Sequence, residues 1–226
     1  MQLIGSCLEK KVLPLVEAGQ QSEDQNMEDS RLVRHCREYA NRVFELLDES
    51  RDLCESRILV LDNGTGYLPR RLAEGETDIV AVELTDKLKK SALFLNSYPS
   101  IVYKKTNPLL LTEEFDLIID SGILCHLHPE ILKVYLPRLA RFSRRKMILE
   151  FRHTRPWHLR LLSRNLDSEI ECQGLEIFRF SKNDILNLIE NSCDMLLTER
   201  NVRGTSVLIK ALRKAHSSRR LRSDSG

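Results

Sequence analysis

The sequence predicts one α/β domain built on a mostly parallel sheet with helices on both faces, and three observations lead there. Short, continuous apolar runs alternate with helical patterns through the middle of the chain. A glycine-containing turn follows the first of those runs, and the last two runs lie close enough in sequence to pair as a hairpin. With 226 residues the chain is long enough for one well-filled core and short for two.

The elements follow in order. Residues 1–30 are read as an extension and linker: the apolar patches Leu3-Ile4 and Val12-Leu13 are interrupted by Glu9, Lys10, Lys11 and Pro14, and residues 18–30 are polar and acidic. Lacking a continuous signal-peptide run, the protein is expected in the cytoplasm. Over residues 31–48, Leu32, Cys36, Ala40, Val43 and Leu47 recur at steps of three and four, the stripe of an amphipathic helix started by Asp29 or Ser30. This helix is expected at the sheet edge.

Strands are predicted over 58–61, 79–84, 101–103, 115–119 and 147–151, with helices over 68–74, 86–96 and 129–142 between them. Pro137 is expected to kink or shorten the last of these helices. Ser181 and Asp184 have capping-box spacing and open a helix through Ile189; runs 195–200 and 206–212, joined by 201–205, then form an antiparallel hairpin. Residues 213–226 are a basic, serine-rich tail expected to fray.

Composition excludes several functions. No apolar run approaches the roughly 18 residues of a membrane span. A net charge of +2, from 35 basic and 33 acidic residues, is far from that of a dedicated nucleic-acid binder. The six cysteines contain no CxxC pair, which argues against a zinc site and gives no disulfide framework; no metal is expected.

The sharpest local signal is residues 58–68, ILVLDNGTGYL: an apolar strand, an acid at its end, two glycines and a helix start. Gly64 and Gly66 permit a tight turn and close approach of a ligand to the backbone, beside the unpaired N–H groups of a helix start. Taken alone, such a turn is more often simple packing or turn chemistry than a cofactor site, but Ile79-Val80-Ala81-Val82-Glu83 changes that balance by adding a second strand ending in a carboxylate. That acid lies about 20 residues beyond the glycines, the spacing that brings it to a ribose. A dinucleotide fingerprint would need glycine where Pro69 stands, so NAD is disfavoured.

With these residues the chain resembles the class I S-adenosylmethionine-dependent methyltransferases, particularly the small-molecule methyltransferase-domain group. LVLDNGTGYL resembles the family's first motif and VAVEL its ribose-binding acid; FDLIIDSGILCHLHPEILKVYLPRLARFSRRKMILEF is similar to its fourth strand, helix and fifth strand, and IFRFSKNDILNLIENSCDMLLTERN to its last helix and strand pair. The resemblance covers residues 31–212, taken as the domain. It implies a Rossmann-like three-layer αβα sandwich whose seven-stranded sheet has a reversed C-terminal strand. S-adenosylmethionine is the implied cofactor, with Asp62, Gly64 and Gly66 around its methionine end, Glu83 on its ribose, Asn107 near the adenine amine, and Asp120 and Ser121 opposite the glycine loop. Leu68 replaces a frequent third glycine, and Asn107-Pro108 replaces a more usual acid.

Methyl transfer from a sulfonium requires the acceptor lone pair to be aligned behind the methyl carbon; a general base is needed only for a protonated acceptor. The candidate bases are His126, His128, Glu150 and His153, with packing or capping the preferred reading of His126. The loop after the fifth strand occupies the family's acceptor side, where Trp157 supplies an aromatic wall and Arg155 an anion contact, or else the loop is a solvated basic face around one anchoring tryptophan. A small-molecule acceptor is expected first. An RNA or protein acceptor, favoured by the arginines between Arg138 and Arg164 and by the basic tail, and a non-catalytic cofactor-binding regulator are the alternatives.

Overall fold

The computed structural model describes residues 31–61, 65–75, 77–83, 86–153, 178–193, 195–203 and 206–214. The extension and its Asp29 and Ser30 caps, the tail beyond Lys214, Asp62, Gly64, Arg155 and Trp157 lie outside the described residues, and Arg213, assigned to the tail, instead ends the last strand.

Helix α1 (Arg31–Phe44) and the short α2 (Glu49–Asp52) precede β1 (Arg57–Leu61), α3 (Tyr67–Leu72), β2 (Asp78–Glu83), α4 (Asp86–Asn96), β3 (Ile101–Lys105) and β4 (Phe115–Asp120). Then come α5 (Pro129–Arg141), β5 (Ser143–His153), β6 (Arg179–Phe180), α6 (Lys182–Leu186), β7 (Met195–Arg203) and β8 (Ser206–Arg213). The sheet runs β3-β2-β1-β4-β5-β8-β7, and β6 pairs with the end of β5. β1 to β5 are mutually parallel, and β8 runs antiparallel to β5 and β7. This is the Rossmann-like mostly parallel sheet with a reversed C-terminal strand, and the two-residue β6 makes it eight-stranded rather than seven.

Alternation along the strands divides the core. Ile58, Val60, Ile79, Ala81, Ile119, Ile148 and Leu208 pack with Ala40 and Val43 of α1, Leu68 and Leu72 of α3, and Ala92 of α4. Leu59, Leu61, Val80, Val82, Ile118, Leu149 and Phe151 pack on the other face with Leu132, Leu136 and Leu139 of α5 and Ile185 of α6. These are the three layers.

Five expectations are corrected. Helix α1 lies across a face of the sheet, not at its edge: Tyr39 reaches β4 and Arg42 reaches β7 and β8. It also ends at Phe44, and Asp48 instead precedes α2. Pro137 neither ends nor shortens α5, which runs on to Arg141. A proline in a helix interior costs about 3 kcal/mol, less than the burial of Leu132, Leu136 and Leu139, each contributing about 1.5–3 kcal/mol. β5 is longer than its apolar run, because the charges that broke the pattern have buried partners; Lys146, for one, pairs with Asp52 of α2. Finally, α6 carries the Ser181–Asp184 capping box but passes into a π-turn over Asn187–Ser192. The hairpin is present as β7–β8, closed between Arg203 and Ser206.

Candidate functional site

Strand order reverses about β1: β2 and β3 continue to one side and β4 and β5 to the other, which opens a crevice at the carboxyl ends of β1 and β4. Leu61 is level with Val82 and Asp120, and the Ser121 N–H donates to the Leu61 carbonyl at 3.1 Å. Glu83, one residue past Val82, therefore stands beside the exit of β1, completely buried. Burial and then the Glu83 charge push the Tyr103 hydroxyl well above its ordinary pKa.

Past β1, Gly66 has φ +78°, a left-handed conformation that favours glycine, and it precedes α3. A Cβ added there would lie 2.6 Å from the Tyr103 hydroxyl and 3.2 Å from the Cβ atoms of Ala92 and Asn96. Its missing side chain thus makes room for the protein's own packing as well as for the turn. Asn96 Nδ2 donates to the Thr65 carbonyl at 2.8 Å, and the Tyr103 hydroxyl donates to the Asn96 carbonyl at 3.0 Å. Thr65 is 5% exposed, and its hydroxyl has no hydrogen-bond partner among the described residues. A buried carboxylate and a buried orphan hydroxyl flanking one turn fit a polar, hydroxyl-bearing ligand.

The other expected residues have visible local roles. The Asp120 carboxylate turns back on its own loop and accepts from the N–H groups of Gly122, Ile123 and Leu124 at 3.3, 3.1 and 3.5 Å. Asn107 Oδ1 accepts from the Leu109 N–H at 3.1 Å, capping the turn Pro108–Leu110. His128 is the N-cap of α5, its Nδ1 accepting from the Glu130 N–H at 3.3 Å, and its ring meets Phe178 edge-on at 5.3 Å. His126 closes the short turn Leu124–His126 and His153 ends β5; their side chains lie outside the description.

Glu150, by contrast, belongs to a polar tier that the sequence does not announce. Its Oε1 accepts from the Ser206 hydroxyl at 2.6 Å, and that oxygen accepts from Arg42 Nη1 at 2.7 Å. Arg42 also bonds the Asn201 and Ser206 carbonyls, while Arg152 approaches Glu150 at 3.9 Å. A turn away on α1, the Tyr39 hydroxyl donates to the Asp120 carbonyl oxygen at 2.6 Å. Burial first, then the charges of Glu150 and Asp120, hold that phenol well above its ordinary pKa, keeping it protonated as a donor. The sequence reading gave no site role to Thr65, Asn96, Tyr103, Tyr39, Arg42 or Ser206; of these only Thr65 falls within a motif, the glycine turn itself. Among the described residues no group of three His, Cys, Asp or Glu side chains is arranged to hold a metal ion, and no helix is long and apolar enough to cross a membrane.

The sequence matches no family model and no curated protein. Solved structures do match. The magnesium protoporphyrin IX methyltransferase of Synechocystis, with bound S-adenosylhomocysteine, superposes with a TM-score of 0.73 at 16% identity, over 94% of this chain and 99% of its own. The 1,6-didemethyltoxoflavin-N1-methyltransferase of Burkholderia thailandensis follows at 0.63 and 14% identity, over 92% and 88%. A S-adenosylmethionine-dependent methyltransferase of Methanosarcina mazei matches at 0.58 and 15% identity, over 76% and 96%. The chain has the class I methyltransferase fold. Within that fold, the Thr65-Gly66 turn follows β1 and the Glu83 carboxylate ends β2, the strand beside it.

Proposed function

We propose that this protein is an S-adenosylmethionine-dependent methyltransferase acting on a small-molecule acceptor. The observation that carries the reading is Glu83, a completely buried carboxylate at the end of β2, one strand from the crevice and beside the glycine turn of a class I methyltransferase fold. With the cofactor bound, this carboxylate would accept hydrogen bonds from the two ribose hydroxyls. Asp62, Gly64 and Gly66 would hold the methionine end, with Ser121 opposite them and Asn107 toward the adenine. Asp120 shapes that wall through the loop its carboxylate holds.

When bound, the cofactor supplies a methyl group already activated on a sulfonium, so positioning is the protein's main task. Tyr39 and Arg42 hold α1 across the sheet. Of the candidate bases, Glu150 has its Oε2 toward Gly122 of the β4 loop and would receive the proton of a protonated acceptor, whereas His128 is occupied as a helix cap. Trp157 and Arg155, between the end of β5 and β6, form the acceptor side. A small acceptor agrees with the near-neutral charge and with the Synechocystis and Burkholderia enzymes, whose named substrates are small molecules. Cytoplasmic residence agrees with Cys125 and Cys193, which are buried thiols donating to backbone carbonyls.

Calorimetric titration with S-adenosylmethionine, S-adenosylhomocysteine and NAD tests the cofactor: heat from the first two and none from NAD is expected, and heat from NAD alone refutes the reading. A radiolabelled-methyl screen of small molecules, RNA and protein fractions then tests the acceptor, with label expected in the small molecules; label confined to the RNA or protein fractions refutes that assignment.

A further inference from the structure

Alternate residues of β5 face α1, and three of them, Lys146, Glu150 and Arg152, are charged and buried, at 7, 4 and 8% exposure. A charge in such a place is costly unless it is paired. Lys146 meets Asp52, and Glu150 accepts from the Ser206 hydroxyl that Arg42 also bonds. Arg152 is not matched in this way. Its guanidinium makes no hydrogen bond among the described residues, and its ion-pair contact, from Nη2 to Glu150 Oε1, is 3.9 Å long and reaches an oxygen that Ser206 already occupies. Nε is shut off without a partner, so the atoms left to meet a molecule from outside are Nη1 and Nη2, the two prongs of the fork.

The register of the sheet places this fork at the crevice. Leu61 is level with Asp120, and Ile148 with Ile119, the residue before Asp120. Glu150 and Arg152 therefore stand beyond the end of β1, on the side crossed by α1. Gly122, with φ +122°, faces them from the β4 loop; apart from its own neighbours in the chain, a Cβ there would meet nothing within 4 Å but Glu150 Oε2, at 3.6 Å. The crevice is thus open over this glycine as far as the Glu150 carboxylate, whose other oxygen is the one Arg152 approaches.

We propose that Arg152 holds a carboxylate of the methyl acceptor through Nη1 and Nη2, so that the substrate is a small carboxylic acid. This rests on the reading of the crevice as a methyltransferase site. A planar fork matches a planar carboxylate with two parallel bonds. Charge selects the carboxylate over a phosphate. Glu150 lies against the fork and repels a second negative charge, and Arg42 is already committed to Ser206 and the carbonyls of the hairpin.

The test is titration of the full chain, free and saturated with S-adenosylhomocysteine, with benzoate, benzamide and inorganic phosphate, followed by ligand-observed NMR. Benzoate is expected to bind more tightly than either of the others. Arg152→Gln is expected to weaken benzoate about tenfold to a hundredfold, through loss of hydrogen bonds to a charged group. Arg152→Lys should fall between the two proteins, since it keeps the charge and loses the fork. S-adenosylhomocysteine affinity should be the same in all three, with Tm unchanged or raised in Arg152→Gln because no hydrogen bond is lost. A merely structural arginine would leave benzoate affinity unchanged and lower Tm, and that result overturns the proposal. So does benzoate that fails to bind the unaltered protein or binds no better than benzamide, while tighter binding of phosphate overturns the choice of carboxylate. Benzoate binding that depends on Arg152 in a protein that does not bind S-adenosylhomocysteine refutes the methyltransferase reading and leaves a carboxylate site; the reverse pattern refutes this inference alone.

Discussion

Replacing Ser206 by alanine removes one oxygen from the middle of the buried polar tier. That oxygen accepts from Arg42 at 2.7 Å and donates to Glu150 at 2.6 Å, and arginine and carboxylate are 6% and 4% exposed. Hydrogen bonds to charged partners contribute about 1.5–3 kcal/mol each, so two would give an upper figure of about 6 kcal/mol. The loss is smaller because Arg42 keeps the Asn201 side chain at 3.3 Å and the carbonyls of Asn201 and Ser206 at 3.1 and 3.3 Å, and Glu150 keeps Arg152 at 3.9 Å. We expect Ser206→Ala to destabilise the fold by about 2–4 kcal/mol, lowering Tm by roughly 4–16 °C for a domain of this size. Thr198→Val is the control: its hydroxyl donates to the Lys210 carbonyl from an exposed position on β7, and about 0.5 kcal/mol or less is expected. Urea unfolding with a common m-value measures both. A Ser206→Ala protein no less stable than Thr198→Val would show that Arg42 and Glu150 do not depend on the hydroxyl between them, and the tier would lose its account.

Glu83→Ala should weaken S-adenosylhomocysteine binding by about 1.5–3 kcal/mol for each ribose bond lost, and Glu83→Gln by less, in a protein that circular dichroism shows to be folded; unchanged affinity would move the ribose site elsewhere. Lys146→Ala should cost about 3–5 kcal/mol by leaving Asp52 buried without its cation, whereas Lys146→Met with Asp52→Leu should be nearly neutral in the same unfolding assay. Burial lifts the Cys193 thiol to about 12, so above about pH 9 the unfolded chain loses this proton while the folded chain keeps it, and stability falls as pH rises. Cys193→Ala should flatten that fall between pH 9 and 11, and an unchanged slope would exclude the thiol as its source. Ser181→Ala should lower stability by about 1 kcal/mol through loss of the capping box, read as a Tm shift of a few degrees.

What the sequence disclosed follows from what burial does to composition. β1, β2 and β4 were legible because strands covered on both faces are continuous apolar runs, and α4 because Asp86 and Asn96 bound its pattern on both sides. β5 was legible only at its centre, since Lys146, Glu150 and Arg152 sit on the α1 side of the strand, where Lys146 pairs with Asp52 and Glu150 accepts from Ser206, both far away in sequence, and Arg152 approaches Glu150. The same distance hid Tyr39 and Arg42. They flank the apolar stripe of α1 and read as its polar margin, yet the helix lies flat on the sheet and buries that margin too. Glu83 was found because strand end and acid are contiguous, whereas the Thr65–Asn96–Tyr103 brace was not, because its members come from three elements.

The placement of the buried charges bears on how α1 is held. Its aliphatic contacts, Ala40 and Val43 against Ile58, Val60, Ile148 and Leu208, are non-directional and would tolerate a shift along the helix axis. The polar contacts would not. Arg42 spends its planar fork on one hydroxyl, one side-chain amide oxygen and two carbonyls at the turn end of the β7–β8 hairpin, a set that only one position of the helix satisfies. Three residues earlier, Tyr39 makes a second directional bond, to β4 at the edge of the crevice. Two such bonds at i and i+3 fix both the height and the rotation of α1. The helix wall is thereby registered against the strand ends where the ligand is proposed to lie, which is why its buried face carries a tyrosine and an arginine where stability alone would be served by leucines.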